Sequence, residues 1–353
     1  MVKYVVFIIL CFSFIGCVPQ SHDFTKGEIL LVDDFRDKKL KLSDFVENVE
    51  LYNLETDELL IGEIKDLCIY DSLLFFVDGI TSNLVVYDLN NKKVVRFVNN
   101  RGNGPFEYIK PSALCADENY LYLLDSSSRK IIFYNHLLES QSEIRMDFSA
   151  FDFIKVDDGF LLCCALPEPS IDYKKIIFIG LDGEIKDSFI HTHQYGMMVG
   201  KNFIKGNNEN VYVNIPFSNQ IYNWTGKCLK ECYYTDFGSL NIPQDDSVKD
   251  LSYYNYESNY VYNNNFFVTS SYFIHAFVCE SKMHYHFYEN ETGKSHLGVM
   301  TDENSELPFF PLWQYNNKLI GLCRLEELSD SCKDYFSLKE REGLVALVFE
   351  IKN

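Results

Sequence analysis

The feature that most constrains this chain is a recurrence. A polar turn followed at once by a strongly apolar run occurs at Asp71-Ser72, Glu118-Asn119, Asp157-Asp158, Asn208-Glu209, Asn263-Asn264 and Asn316-Asn317. Successive turns are 39 to 55 residues apart. The runs that follow are LLFFVD (73–78), YLYLLD (120–125), FLLCCA (160–165), VYVNIP (211–216), FFVTSS (266–271) and KLIGLC (318–323). A period of this length, with about four strands per repeat, is what propeller blades produce. Each run reads as the second strand of its blade. A third strand ending in an aromatic and a polar residue follows in several, as in Val86-Tyr87-Asp88 and Phe133-Tyr134-Asn135. Six such units account for the chain from about residue 64 to 353.

The clearest unit is 101–135. Arg101-Gly102-Asn103-Gly104-Pro105 places two glycines and a proline in five residues, which reads as a tight loop. Three short apolar runs then alternate with polar turns, at Asp117-Glu118-Asn119 and Asp125-Ser126-Ser127-Ser128, as in an antiparallel meander. The order of residues resembles the NHL-type repeat of β-propellers. Gly102, Gly104, Pro105, Glu107, Tyr108, Pro111, Asp117, Asp125 and Tyr134 fall on its positions, and Phe106 stands where it usually has a glycine. The upstream segment VENVELYNLETDELLIGEIKDL (46–67) resembles the entry segment of bacterial six-bladed propeller lipoproteins. The resemblance is specific over 46–135 and extends further only through the period.

The sixth unit runs out of chain. After Cys323 come a charged stretch and one strong strand, Gly343–Ile351, so one strand is missing. A ring leaves no free sheet edge only if the chain ends meet in one blade. Val49–Leu54 is the spare strand, and it is expected to pair with Gly343–Ile351. The expected fold is therefore all-β: a six-bladed β-propeller of four-stranded antiparallel blades, with an N-terminal strand closing the last blade.

Residues 1–16 read as a signal peptide, with Lys3 in a positive start and an apolar run, Val5–Ile15, too short to span a bilayer. Gly16-Cys17 resembles the bacterial lipobox, which implies a lipid on Cys17. The alternative is an ordinary secretory signal with a chance cysteine. Residues 17–37 are then expected to be a tether and 38–353 the propeller. This places the protein in the cell envelope, as an outer-membrane or cell-surface lipoprotein, with the periplasmic side left open. Formal charge is −19, which disfavours phosphate backbones and argues against nucleic-acid partners. Cys11 and Cys17 aside, nine cysteines remain, an odd number set mostly in apolar runs, and they read as free core residues.

Few residues suggest chemistry. His191-Thr192-His193 and His284-Tyr285-His286 each place two imidazoles on one strand face, too few to fix a metal alone. Cys228 and Cys232 could be redox active or metal bound, but their x3 spacing and strand context favour plain packing residues. Turn Asp and Asn residues could hold a calcium ion, yet such residues more commonly close turns. No metal or other cofactor is expected, nor any catalytic residue. Arg101, Asn103 and Glu107 lie in the loop between the first two blades, where they could contact a ligand or pair with one another. The run YYNYESNYVYNNNFF (253–267) could bind sugars through aromatic faces and amides, or simply fill strands. The reading is a membrane-anchored binding module for a glycan, peptide or partner protein. The alternative is a propeller hydrolase or lyase with a metal in its central channel. Carboxylates or histidines converging on one point in the channel would favour the enzyme.

Overall fold

A computed structural model describes residues 27–56, 59–164, 166, 168–196, 200–207, 209–215, 217–243, 247–251, 260–262, 264–302, 307–336 and 342–353. The chain enters through two short strands, β1 (Glu28–Leu31) and β2 (Lys39–Lys41), a single helical turn and β3 (Val46–Asn53). Blade one follows as β4 (Ile64–Tyr70), β5 (Leu73–Asp78), β6 (Leu84–Asp88) and β7 (Lys93–Val98). Blade two is β8 (Pro111–Ala116), β9 (Leu121–Asp125), β10 (Lys130–Tyr134) and β11 (Ser140–Arg145). Blade three is β12 (Ala150–Val156), β13 (Gly159–Cys164), β14 (Lys174–Gly180) and β15 (Ile185–His191). Blade four is β16 (Phe203–Lys205), β17 (Val211–Asn214), β18 (Gln220–Trp224) and β19 (Leu229–Asp236). Blade five is β20 (Asn265–Val268), β21 (Tyr272–Cys279), β22 (Lys282–Glu289) and β23 (Ser295–Thr301). Blade six holds β24 (Pro311–Tyr315), β25 (Lys318–Arg324) and β26 (Leu344–Ile351). Each blade is an antiparallel meander, and together they form a six-bladed β-propeller.

The ring closes as the strand count requires. β26 pairs antiparallel with β3, so that Phe349 faces Val49 and Val345 faces Asn53. The last blade therefore takes three inner strands from the C-terminus and its outermost strand from the N-terminus. Tyr52 and Leu54 are buried against Leu344, Ala346 and Val348, which fixes the register by the apolar face.

Two expectations change. Residues 28–37 are not a tether. β1 adds to β19, and β2 to β23, each as a parallel fifth strand on the outer edge of its blade. Leu30, Val32 and Phe35 are buried, with Phe35 edge-on to Phe277 at 5.0 Å between centroids. The N-terminal arm thus laces blades four, five and six in turn. The run at 266–271 is also not a second strand. It supplies the first, innermost strand β20, and the second is β21. Phe266 and Phe267 are fully buried, so this inner strand is as apolar as any second strand and composition could not separate the two.

The repeat loop shows why its residues are needed. The carboxylate of Glu107 folds back and accepts the Gly104 amide at 2.7 Å. A Cβ on Gly102 would meet Glu107 Oε2 at 2.0 Å, so a side chain there would displace the carboxylate from its place against the loop. Phe106 adopts φ 59°, the left-handed conformation for which the repeat usually supplies glycine. Its cost, roughly 1–2 kcal/mol, is offset by anchoring on both sides. The Phe106 amide donates to Glu143 at 2.9 Å, and its carbonyl accepts from the Tyr134 hydroxyl at 3.3 Å. Asp125, fully buried, accepts the amides of Ile109, Lys110, Ser127 and Ser128, which makes it a turn-closing residue.

Candidate functional site: the central channel

The innermost strands surround a channel holding a cavity of about 1030 Å³. Four of them carry a bulge at corresponding places, after Ile64, Pro111, Ala150 and Pro311. The residues resuming the ladder there are Asp66, Ala113, Asp152 and Trp313. Three of these meet in one buried cluster. Asp66 Oδ2 lies 2.8 Å from Lys201 Nζ, and Asp152 Oδ1 lies 2.6 Å from it. The Trp313 indole N–H donates to Asp66 Oδ1 at 2.7 Å.

The carboxylates also stitch blades together. Asp66 accepts the Leu114 amide of blade two at 2.6 Å, and Asp152 accepts the Asn202 amide, at the start of blade four, at 2.7 Å. Burial of this kind is costly for single charges and tolerable for a satisfied network. Burial pulls the Lys201 pKa down, but Asp152 and Asp66 together outweigh it and hold the group well above the ordinary lysine range. The ammonium thus stays charged. Its side chain is 15% exposed and lines the cavity. Two of its three N–H groups serve the carboxylates.

Beyond this charged floor, the walls include Cys68, Cys115, Ile154, Phe178, Phe203 and Trp224. Both tryptophans of the chain, Trp224 and Trp313, therefore line the cavity. Burial raises the pKa of the Cys68 and Cys115 thiols, so neither is a ready nucleophile. The mouth is made by the turns that follow the inner strands, with Asp117, Glu118, Asp157, Asp158 and Glu209 set beside Lys155 and Lys205. Asp117 accepts the amides of Asn119 and Tyr120 and the Tyr122 hydroxyl, and Glu209 pairs with Lys205.

Arg101, Asn103 and Glu107 sit elsewhere. Their loop precedes β8, whereas the cavity is lined by the last part of β8 and the turn beyond it. The loop therefore lies toward the opposite face of the ring. Arg101 and Asn103 are exposed, while Glu107 is committed to Gly104 rather than to Arg101.

His191 and His193 are exposed at the end of β15, with rings 5.0 Å apart. His284 and His286 are instead buried within β22. His286 Nε2 lies 2.9 Å from Ser295 Oγ, and its ring stacks on His275 with centroids 5.6 Å apart. Among the described residues, no group of three His, Cys, Asp or Glu side chains is placed to hold a metal ion. All nine described cysteines are free. Of the aromatic run at 253–267, residues 253–259 and 263 lie outside the described residues. Val261, Tyr262, Phe266 and Phe267 are core.

The sequence reading missed the cluster. Asp66, Asp152, Lys201 and Trp313 come from four blades, and no local spacing links them. The available signal was the aligned repeats, in which Asp66 and Asp152 occupy the same place.

A family model described as "Domain of unknown function (DUF4934)" matches residues 28–353. No protein among the curated sequences matches the chain. Among solved structures, a Bacteroides fragilis protein described as a candidate exported protein aligns with a TM-score of 0.75 at 17% identity, covering 92% of this chain and 100% of that one. A member of the DUF4221 family from Bacteroides vulgatus aligns with a TM-score of 0.54 at 11% identity, covering 87% and 98%. At these identities the likeness establishes the fold alone.

Proposed function

The chain belongs to the DUF4934 family, and from that premise we propose that it is an extracytoplasmic binding module whose ligand enters the central channel. The ligand class is a glycan, a peptide or a segment of a partner protein. The observation that carries this reading is the identity of the group on which the channel carboxylates converge. It is the Lys201 ammonium, bonded to Asp66 and Asp152. In a metal-centred hydrolase or lyase those carboxylates would be turned to a cation. Here they are already neutralised in part and bonded to backbone amides. What remains is a cavity with aromatic and aliphatic walls, a polar floor and a charged rim, the usual composition of a ligand pocket.

Export and anchoring form part of the proposal. They rest on the N-terminal segment ending in Gly16-Cys17, and on the description of the Bacteroides fragilis relative in fold as a candidate exported protein. No helix among the described residues is long and apolar enough to cross a membrane.

The test uses the two tryptophans. Because both line the cavity, intrinsic fluorescence reports occupancy without labelling. A panel of glycans and peptides is screened by emission shift. A saturable shift with at least one class supports the reading. Ligands that bind, as judged by calorimetry, while tryptophan emission stays unchanged would place the site outside the channel.

A further inference from the structure

Charges at the channel are unevenly committed. Three ammonium groups line the cavity, and each is already taken. Lys201 is held by Asp66 and Asp152, Lys205 pairs with Glu209, and Lys155 donates to the carbonyls of Val156 and Asp157. Carboxylates outnumber them. Five line the cavity, and Asp66 and Asp152 lie directly behind Lys201, so negative charges exceed positive ones by four. Asp117 is spent on closing its own turn. Glu118, Asp157 and Asp158 are different. They are exposed at the tips of turns in the neighbouring blades two and three, and among the described residues none pairs with a cation. At the same mouth, blades three and four bring Phe178 and Trp224 together at 5.2 Å between centroids, and both line the cavity. Carboxylates without a counter-ion, together with aromatic surface, are what a guanidinium or ammonium group needs: the charge pairs and a ring face takes the cation. A concave wall also focuses the field that draws such a group in.

We propose that the channel takes a basic peptide segment, whose lysine or arginine side chains pair with Glu118, Asp157 and Asp158 while a main-chain carbonyl accepts the remaining N–H of Lys201. This rests on the reading of the channel as the ligand pocket, and it chooses among the classes left open there. A neutral glycan would leave the three carboxylates without partners. An anionic glycan or an acidic peptide would meet an excess of negative charge. A bare metal ion fits no better, since no three ligating side chains converge among the described residues. A peptide supplies both halves of the match. Its backbone is neutral and rich in acceptors, which suits the one N–H that Asp66 and Asp152 leave on Lys201, and its side chains carry the cations. A carbonyl there adds no charge to a cluster whose two carboxylates already exceed its one ammonium. Because the match is one of charge at an exposed rim, affinity falls as salt rises.

Binding of short capped peptides to the purified full chain tests this. The probes are Gly-Arg-Gly-Arg-Gly, the same peptide with citrulline in place of arginine, its counterpart with glutamate, and cellopentaose. Calorimetry gives the affinity, and tryptophan emission gives the place. The arginine peptide is expected to shift the emission saturably, the citrulline peptide to bind about tenfold more weakly, and the glutamate peptide not to bind. Asp157→Asn with Asp158→Asn in one chain should weaken the arginine peptide about tenfold. Asp33→Asn with Asp37→Asn, exposed acids of the N-terminal arm, should leave it unchanged. All four positions are exposed, so the fold is not at stake. Equal weakening by the two pairs would trace the effect to the general charge of the chain and overturn the inference. Equal binding of the citrulline peptide, or no binding of the arginine peptide, would overturn it too. If cellopentaose or the glutamate peptide shifts the emission instead, the basic class falls and the channel stands as the pocket. An arginine peptide that binds with emission unchanged overturns both.

Discussion

Lys201 and Asp66 meet across the channel at 2.8 Å although 135 residues of chain separate them. Asp152 completes the arrangement from a third blade at 2.6 Å. Lys201→Met keeps most of the side-chain volume but leaves two buried carboxylates facing each other. Removing one partner of a buried ion pair costs about 3–5 kcal/mol. The variant is expected to lose stability of that order, read as a fall in denaturation midpoint. Lys201→Arg, which retains the charge, should lose less. Equal stability of the wild type and Lys201→Met would show that the cluster does not brace the ring.

Deleting residues 1–55 removes the closing strand and both fifth strands. It also removes Leu30, Val32, Phe35, Leu40, Leu42, Phe45, Val46, Tyr52 and Leu54, all buried. Burying one such side chain contributes about 1.5–3 kcal/mol, so the total loss exceeds the roughly 5–15 kcal/mol by which domains are stable. The truncated chain should fail to fold, and circular dichroism with analytical ultracentrifugation should find no monomeric β-rich species. A folded, cooperative monomer would contradict the closure.

The closure and the blade count were legible in the sequence, and the reason is physical. Each blade has to bury two faces, so its apolar runs are long and its turns are marked by Asp, Asn and Gly. β1 and β2 were not legible because they use one face only. In β1 only Leu30 is buried while Ile29 and Leu31 are exposed, and three or four residues carry no readable alternation. The channel cluster was illegible for a different reason. Its members are single polar residues whose meaning comes from ring geometry, which brings distant repeats to one axis. The candidate loop at 101–107 was read correctly as a tight turn. Glu107, however, serves the loop itself, a role indistinguishable from ligand contact until its partner is seen.

Phe106 offers a reversed substitution order. Its φ of 59° favours glycine, while its ring is packed in part against the blade-one and blade-two core. Both Phe106→Ala and Phe106→Gly lose the ring. Only alanine also keeps the backbone strain, about 1 kcal/mol. Phe106→Gly should therefore be the more stable of the two, against the usual penalty for glycine. Thermal melts of the pair check this, and a more stable Phe106→Ala would contradict it.

The buried histidines of blade five set a pH dependence. Burial, aided by the neighbouring His286, lowers the His275 pKa well below 6.5. Burial, aided by His296, lowers the His286 pKa to about 4. The folded state thus resists protonation that the unfolded chain accepts. Their contribution is fully present above about pH 6.5 and is lost as pH falls toward 4, by up to about 1.4 kcal/mol per pH unit for each histidine. Urea midpoints at pH 7, 6 and 5 should fall accordingly. The slope should be shallower in His286→Gln, whatever its stability at pH 7. An unchanged slope would contradict this assignment.

The central claim is that the channel is a ligand pocket whose carboxylates are closed by Lys201 rather than by a metal. Native mass spectrometry of the purified full-length chain, after dialysis against calcium and zinc and then against volatile buffer, measures both parts. The account predicts a chain carrying no stoichiometric metal, and a one-to-one adduct with compounds that shift tryptophan emission. One tightly held equivalent of calcium or zinc, lost on Asp66→Asn, would contradict it and return the channel to the metal-centred enzymes.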